Sequence, residues 1–228
     1  MVTLGIDTAT EICGIALIDG ENLIAEMNLN IYRAHSEKLI ESITQLMAMV
    51  NIPLIDIELV AISAGPGSFT GLRIGMAAAK GLAFSLDVPL TSVVTLDALA
   101  FQAPGINSTL CPAIKARQDE VYVALYRKHK PGEFERVSEY RCLKVSELTT
   151  FIPNKTLMLG NGVTHLGEQL KNALGARIQL AQHYENLLRG SSIAFLGYKK
   201  YLQTQKNEVE TSEPFYIQEF ISGRKVKK

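Results

Sequence analysis

Four kinds of residue in this chain could do chemistry: a glycine-rich stretch, an early aspartate, four histidines and three cysteines. The glycine stretch is GPGSFTGLRIG, residues 65–75. Gly65, Gly67 and Gly71 let the backbone turn tightly, and Ser68 or Thr70 can cap the helix that follows. A glycine turn entering a helix N-terminus also leaves N–H groups that attract anions. The stretch lacks the Gly-Lys-Ser/Thr of a P-loop and the spacing of a dinucleotide fingerprint. Two readings stand side by side: a structural turn, or an anion- or nucleotide-proximal loop of Gly65, Gly67, Ser68 and Thr70 together with Asp7. Asp7 closes the apolar run VTLGID and opens the turn Asp7-Thr8-Ala9-Thr10.

The other candidates point away from catalysis. No two of His35, His129, His165 and His183 lie at metal-ligand spacing, so no metal site is expected. His35-Ser36-Glu37 holds residue types used by serine hydrolases. A triad, however, is assembled from distant residues, and no G-x-S-x-G elbow is present. Ser36 reads instead as a helix cap with His35 at the helix start. Cys13, Cys111 and Cys142 cannot all pair and none sits in C-x-x-C, so they read as reduced core thiols.

The elements that position these residues follow from periodicity and punctuation. Strands are predicted at 2–7, 12–18 and 23–30, with a hairpin turn at Asp19-Gly20. Then come a helix from about Ser36 to Val50, a buried strand at 58–63, the glycine loop, a helix from about Thr70 to Leu86, a strand at 90–94 and a short helix at 96–103. The order then restarts with strands at 110–115, 120–127 and 134–142. A short helix, a strand at 156–159 and helices near 163–174 and 191–203 complete it. The pattern is a duplication with a boundary near Ala103-Pro104-Gly105. It predicts two mixed sheets flanked by helices, with an N-terminal lobe at 1–103, a C-terminal lobe at 104–213 and a terminal segment at 214–228.

Lys plus Arg and Asp plus Glu balance at 23 each, so no long-range field draws the chain onto a polyanion. The four cations Arg224, Lys225, Lys227 and Lys228 read as a solubilising, unstructured tail. No apolar run reaches the roughly 18 residues of a membrane span. The opening residues do not read as a signal peptide. A cytoplasmic protein with no membrane partner is expected.

Two helices carry the partner signal. On the first, Leu39, Ile40, Ile43, Leu46, Met47 and Val50 form one stripe about 120° wide, the width of one buried face, which alone reads more often as core-facing than as an interface. On the second, apolar residues from Leu72 to Phe84 surround nearly the whole helix, with small residues at Gly75, Ala78, Ala79 and Gly81. A sheet covers one side of such a helix, so something else must cover the other. Leu39, Ile43, Leu46, Gly75, Met76, Ala79 and Leu82 are the expected partner interface.

The doubled order resembles the actin/sugar-kinase/Hsp70 superfamily. There, an Asp-x-Gly-x-Thr turn and an acid ending the first strand of the second lobe hold nucleotide and Mg²⁺. Here the turn lacks its glycine and Lys115 stands where that acid is expected. More specifically, LGIDTATEICGIAL, HSEKLIESI, GPGSFTGLRIGMAAAKGLAF, ARQDEVYVALY and PFYI resemble the bacterial TsaB (YeaZ) family of tRNA threonylcarbamoyladenosine biosynthesis. The resemblance implies an actin-like two-lobe fold and a non-catalytic subunit pairing with a catalytic paralogue, TsaD, through the first two helices. It also implies a homodimer in isolation, a third ATPase partner, TsaE, and contact with tRNA through the complex. ATP or ADP is expected near the subunit contact rather than on this chain alone. The paralogue's metal-binding His-x-x-x-His pair falls here on Thr95 and Leu99. The rival expectations are a stand-alone ATPase, kinase or peptidase, and an RNA-binding module.

Overall fold

A computed structural model describes residues 1–30, 35–104 and 108–217; the side chains of 35–37 lie outside that description. The capping role expected of Ser36, the placement of the His35 side chain and the basic tail therefore lie outside the described residues. The first half builds β1 (Val2–Asp7), β2 (Ile12–Asp19), β3 (Asn22–Asn30), α1 (His35–Met49), β4 (Leu59–Gly65), α2 (Phe69–Leu86), β5 (Leu90–Val94) and α3 (Thr95–Gln102). The second half builds β6 (Ser108–Lys115), β7 (Glu120–Val123), β8 (Tyr126–Lys130), β9 (Glu133–Arg136), β10 (Arg141–Lys144), α4 (Leu148–Phe151), β11 (Thr156–Leu159), α5 (Asn161–Leu174), β12 (Ile178–Leu180) and α6 (Gly190–Thr204).

Alternation and turn chemistry explain the first sheet. Its order is β3-β2-β1-β4-β5, antiparallel through the meander and parallel at β1–β4 and β4–β5. The strands β1, β2 and β4 are buried almost end to end, as a sheet covered on both faces requires. The second sheet repeats that order as β10-β7-β6-β11-β12, with β8 and β9 extending it beside β6. The fold is the doubled α/β arrangement of actin-like proteins.

The structure differs from the predicted strands at two places. The strand expected at 120–127 is broken into β7 and β8, and the one at 134–142 into β9 and β10. The break is held by cross-links: the Leu125 N–H donates to Ser138 Oγ (2.8 Å) and the Val137 N–H to the Leu125 carbonyl (2.8 Å). Short β12 also escapes sequence reasoning, because three residues carry too little alternation to register.

A second difference concerns the lobes. The C-terminal lobe was expected to hold all of residues 104–213, yet α6 packs across β1, β2, β4 and β5 of the first sheet, opposite α1 and α2. Its contact is built from absent side chains. A Cβ on Gly5 would press on Gly190 and Ala194, at 2.5–2.7 Å, and a Cβ on Gly190 would press on Ile15 and Ala16, at 2.6–2.9 Å. The first turn of α6 is capped from β3, where Glu26 Oε1 accepts the Ser191 N–H (3.0 Å) and hydroxyl (2.7 Å). One core cluster, including Ala61, Leu96, Leu110, Leu159 and Ile193, runs through both halves of the chain. Among the described residues no helix is long and apolar enough to cross a membrane.

Candidate functional site

The residues that end β1 meet the residues that begin α2. Asp7 is fully buried, and its Oδ1 accepts the Ala9 N–H at 3.0 Å while Oδ2 has no hydrogen-bond partner among the described residues. Burial pushes its carboxyl up to about 6, against the opposing hydrogen bonds from Ser63 and Ala9. Thr8 Oγ1 donates to the Gly71 carbonyl (2.8 Å), and the Ser68 N–H donates to the Ala9 carbonyl (2.7 Å). Ser68 caps α2, its side chain accepting the Gly71 N–H at 3.2 Å; Thr70, the other expected cap, is exposed on the first turn.

Those contacts explain the glycines. A Cβ on Gly67 or Gly71 would sit well inside contact distance of the Ala9 or Thr8 carbonyl oxygen, and one on Gly75 would strike Thr8 Oγ1. Gly65, with φ +116°, takes a backbone conformation open to glycine, and the carbonyl of Phe215 lies against it. The loop is therefore pressed onto the β1–β2 turn. The groups it meets there are the carbonyl oxygens of Thr8 and Ala9 and a Thr8 hydroxyl already donating to Gly71, which offer a phosphate no free donor. This geometry favours the structural reading of the loop over the anion-binding one.

Across the turn lies the second half of the chain. Glu11 Oε2 accepts from Asn161 Nδ2 at 2.8 Å, and Glu11 Oε1 lies 3.5 Å from His165 Nε2. Asn161 Oδ1 in turn accepts the Lys115 N–H at 2.9 Å. The Lys115 ammonium bonds the carbonyls of Ala116 and Gln118 in its own loop. Thr95 and Leu99 are buried in the core. A threonine and a leucine walled in apolar side chains offer a transition metal no useful ligands. Among the described residues no cluster of three or more His, Cys, Asp or Glu side chains is placed to hold a metal. His129 sits 3.7 Å from Glu135 on the β8–β9 hairpin, far in sequence from His165, and His183 begins a short 3-10 turn. All three cysteines are free, and burial pushes the Cys13 thiol up to about 12.

The expected interface requires correction. Leu39, Ile43, Leu46, Gly75, Met76 and Ala79 are buried within the chain itself, and Leu82 is half-buried against the same core. The stripe of α1 and one side of α2 face the first sheet, so none of the six is free to meet a partner. The outward row of α2 is Arg73, Ala77, Gly81 and Phe84, all exposed, with Phe84 at 81%. On α1, which packs beside α2, Ile40 and Met49 are exposed at 48% and 73%. Periodicity groups residues by face but does not say which face meets the sheet. The signal that could have found the outer row is the glycine pair Gly71 and Gly75, since the side that must approach the β1–β2 turn most closely is the inner one.

Comparison with known proteins follows the same lines. Residues 24–219 match the family described as TsaD: tRNA N6-adenosine threonylcarbamoyltransferase. The chain is 30% identical over 203 residues, 88% of each chain, to the Bacillus subtilis tRNA threonylcarbamoyladenosine biosynthesis protein TsaB. It is similar to the solved structure of YeaZ from Pseudomonas aeruginosa, with a TM-score of 0.77 and 25% identity over 95% of this chain and 100% of that one. A more distant likeness, to component A of the Acidaminococcus fermentans (R)-2-hydroxyglutaryl-CoA dehydratase, has a TM-score of 0.53 and 12% identity over 89% and 99% of the two chains, and speaks to fold alone. With its doubled sheet order and its glycine loop seated on the β1–β2 turn, the chain belongs to the TsaD-type threonylcarbamoyltransferase family, in its TsaB (YeaZ) branch.

Proposed function

We propose that this chain is a non-catalytic subunit in tRNA threonylcarbamoyladenosine formation, docking a TsaD-type catalytic paralogue on the outer face of α1 and α2. The TsaB-named relatives support a role in that biosynthesis. The observation that carries the docking reading is the exposed row of α2, where Phe84 stands 81% exposed beside Ala77 and Gly81. A large apolar side chain next to small residues on an open helix invites a closely approaching helix. The non-catalytic assignment is supported by residue type: Thr95, Leu99 and Lys115 stand where the resemblance implies two metal-binding histidines and an acid. In this reading a TsaE-type ATPase and tRNA reach the chain through the complex, ATP or ADP binds near the subunit contact, and the free chain pairs with itself through the same face.

The test uses Phe84→Glu and Ala77→Glu, which change exposed positions and leave the core intact. Both should fold with unaltered melting curves, fail to capture the TsaD-type paralogue and fail to restore threonylcarbamoyladenosine in tRNA of a depleted strain. Normal modification by both variants would remove the interface assignment. Turnover of ATP or peptide by the purified chain alone would remove the non-catalytic one.

A further inference from the structure

After α6 the chain doubles back along the first sheet as a strap. Its start closes the free edge of β5: the Leu90 N–H donates to Asn207 Oδ1 (3.1 Å) and the Glu208 N–H to the Leu90 carbonyl (2.8 Å). The Ser92 N–H and hydroxyl both donate to Glu208 Oε2 at 2.8 Å, and Lys200 pairs with that carboxylate at 2.7 Å. Further on, the Phe215 N–H donates to the Ala64 carbonyl at 2.7 Å. The strap thus arrives at the glycine loop already fixed at both ends. There Tyr216 lays its ring 5.4 Å from that of Phe69 and receives the Nε–H of Arg73 at 3.3 Å, while the Arg73 guanidinium stacks 3.9 Å above Phe69.

Arg73 opens the outward row of α2. Its Nε is taken by Tyr216 and its planar face by Phe69, so its two terminal nitrogens remain without a partner among the described residues. A guanidinium held in this way offers parallel N–H donors end-on, the arrangement that receives a carboxylate through two hydrogen bonds. Phe84 lies about three turns further along the same face, roughly 16 Å away at 1.5 Å per residue. Ala77 and Gly81 between them leave room for a helix backbone. The row therefore reads as cation, two small residues, then a large apolar side chain.

We propose that the element docking on this row is a partner helix carrying a carboxylate that Arg73 receives. The C-terminal strap is part of the docking surface because Tyr216 holds the arginine. This inference rests on the docking reading above and adds the chemistry that the partner must present. Tyr216 is a positioning residue; Arg73 makes the contact.

The experiment titrates the TsaD-type paralogue against the full chain at low and high salt. Arg73→Ala should weaken binding by about tenfold or more, with a flatter salt dependence. Arg73→Lys should lose most of that as well, because a point charge lacks the fork. Tyr216→Phe should weaken binding a few-fold, and this loss should vanish in the Arg73→Ala background. Wild-type affinity in both Arg73 variants, while Phe84→Glu still fails, would overturn the proposal and leave the docking reading standing. Failure of the wild-type chain to bind the paralogue would remove the docking reading and this inference with it. Arg73 variants that weaken only self-association would also overturn it. They would assign the carboxylate to a second copy, whose Asp87 stands exposed at the far end of the same row.

Discussion

A carboxyl group at the bottom of the first sheet, with one oxygen bonded and the other without a hydrogen-bond partner among the described residues, is costly to ionise. Asp7 holds its proton to about pH 6 when folded and to an ordinary carboxylate value when unfolded. Between those values the folded chain binds more protons than the unfolded one, so stability is highest below about pH 4 on this account and falls as pH rises through 6. Asp7→Asn should remove that slope. At pH 8 it should raise the free energy of unfolding by 1–3 kcal/mol on an order-of-magnitude basis. Urea titrations at pH 4.5 and pH 8 read both effects, and an unchanged slope would mean that the charge is compensated by a group not yet identified. The glycines offer a matched contrast. Gly67→Ala must push against the Ala9 carbonyl and should cost about 2 kcal/mol or more. Gly81→Ala meets nothing within 4 Å and replaces a weak helix former in an exposed turn, so it should raise the melting temperature by the equivalent of 0.4–1 kcal/mol, roughly. The same Gly81→Ala change should loosen partner docking, since it thickens the small-residue floor of the outer row. Stability and affinity then move in opposite directions at one residue.

The helices show which parts of the architecture are written locally. The meander, the order of helix and strand, and the start and stop of α2 are all legible, because alternation, the Asp19-Gly20 turn and the Ser68 cap each act over a few residues. The layer to which α6 belongs is not. Its sequence, GSSIAFLGYKKYLQT, carries a weak amphipathic stripe, and its docking depends on Gly5 and Gly190, which lie 185 residues apart. A contact made by missing side chains leaves no hydrophobic signature. The stripe of α1 is legible as the width of one core-facing side, and the structure buries Leu39, Ile43 and Leu46 accordingly; their reading as a partner interface comes from the family resemblance, not from periodicity. At the glycine loop, residue types allowed both an anion site and a tight turn. The positions of the Thr8 and Ala9 carbonyls, which residue types do not reveal, support the tight turn. The α6 cap gives a test at this scale: Glu26→Ala, on a different strand from the helix it caps, should cost about 1 kcal/mol. Glu26→Gln should recover part of it, and equal losses in both would point to a packing role for the side chain instead.

At the scale of the whole molecule, two connections at the end of α3 join the shared core and the Glu11–Asn161 bond in tying the halves together. Gln102 donates to the Leu187 carbonyl (2.7 Å) and accepts the Arg189 N–H (3.1 Å), so the chain leaving α3 is tied to the chain returning toward α6. Buried Lys128 closes the end of α3 from β8 by donating to the carbonyls of Phe101 and Ala103. The strap adds a further connection, and a chain ending at residue 204 should expose the β5 edge. It should unfold at lower urea concentration and self-associate, as light scattering would show. A paralogue that captured this truncated chain at wild-type affinity would argue against a strap contribution to docking. The return of α6 to the first sheet also has a consequence for synthesis. One face of that sheet is bare until α6 emerges, which at 5–20 residues per second leaves the N-terminal half waiting on the order of 10 s after its own last strand is made. Nascent chains arrested after α3 should be protease-sensitive and bound by holding chaperones, and should become resistant only once the final helix has cleared the ribosome.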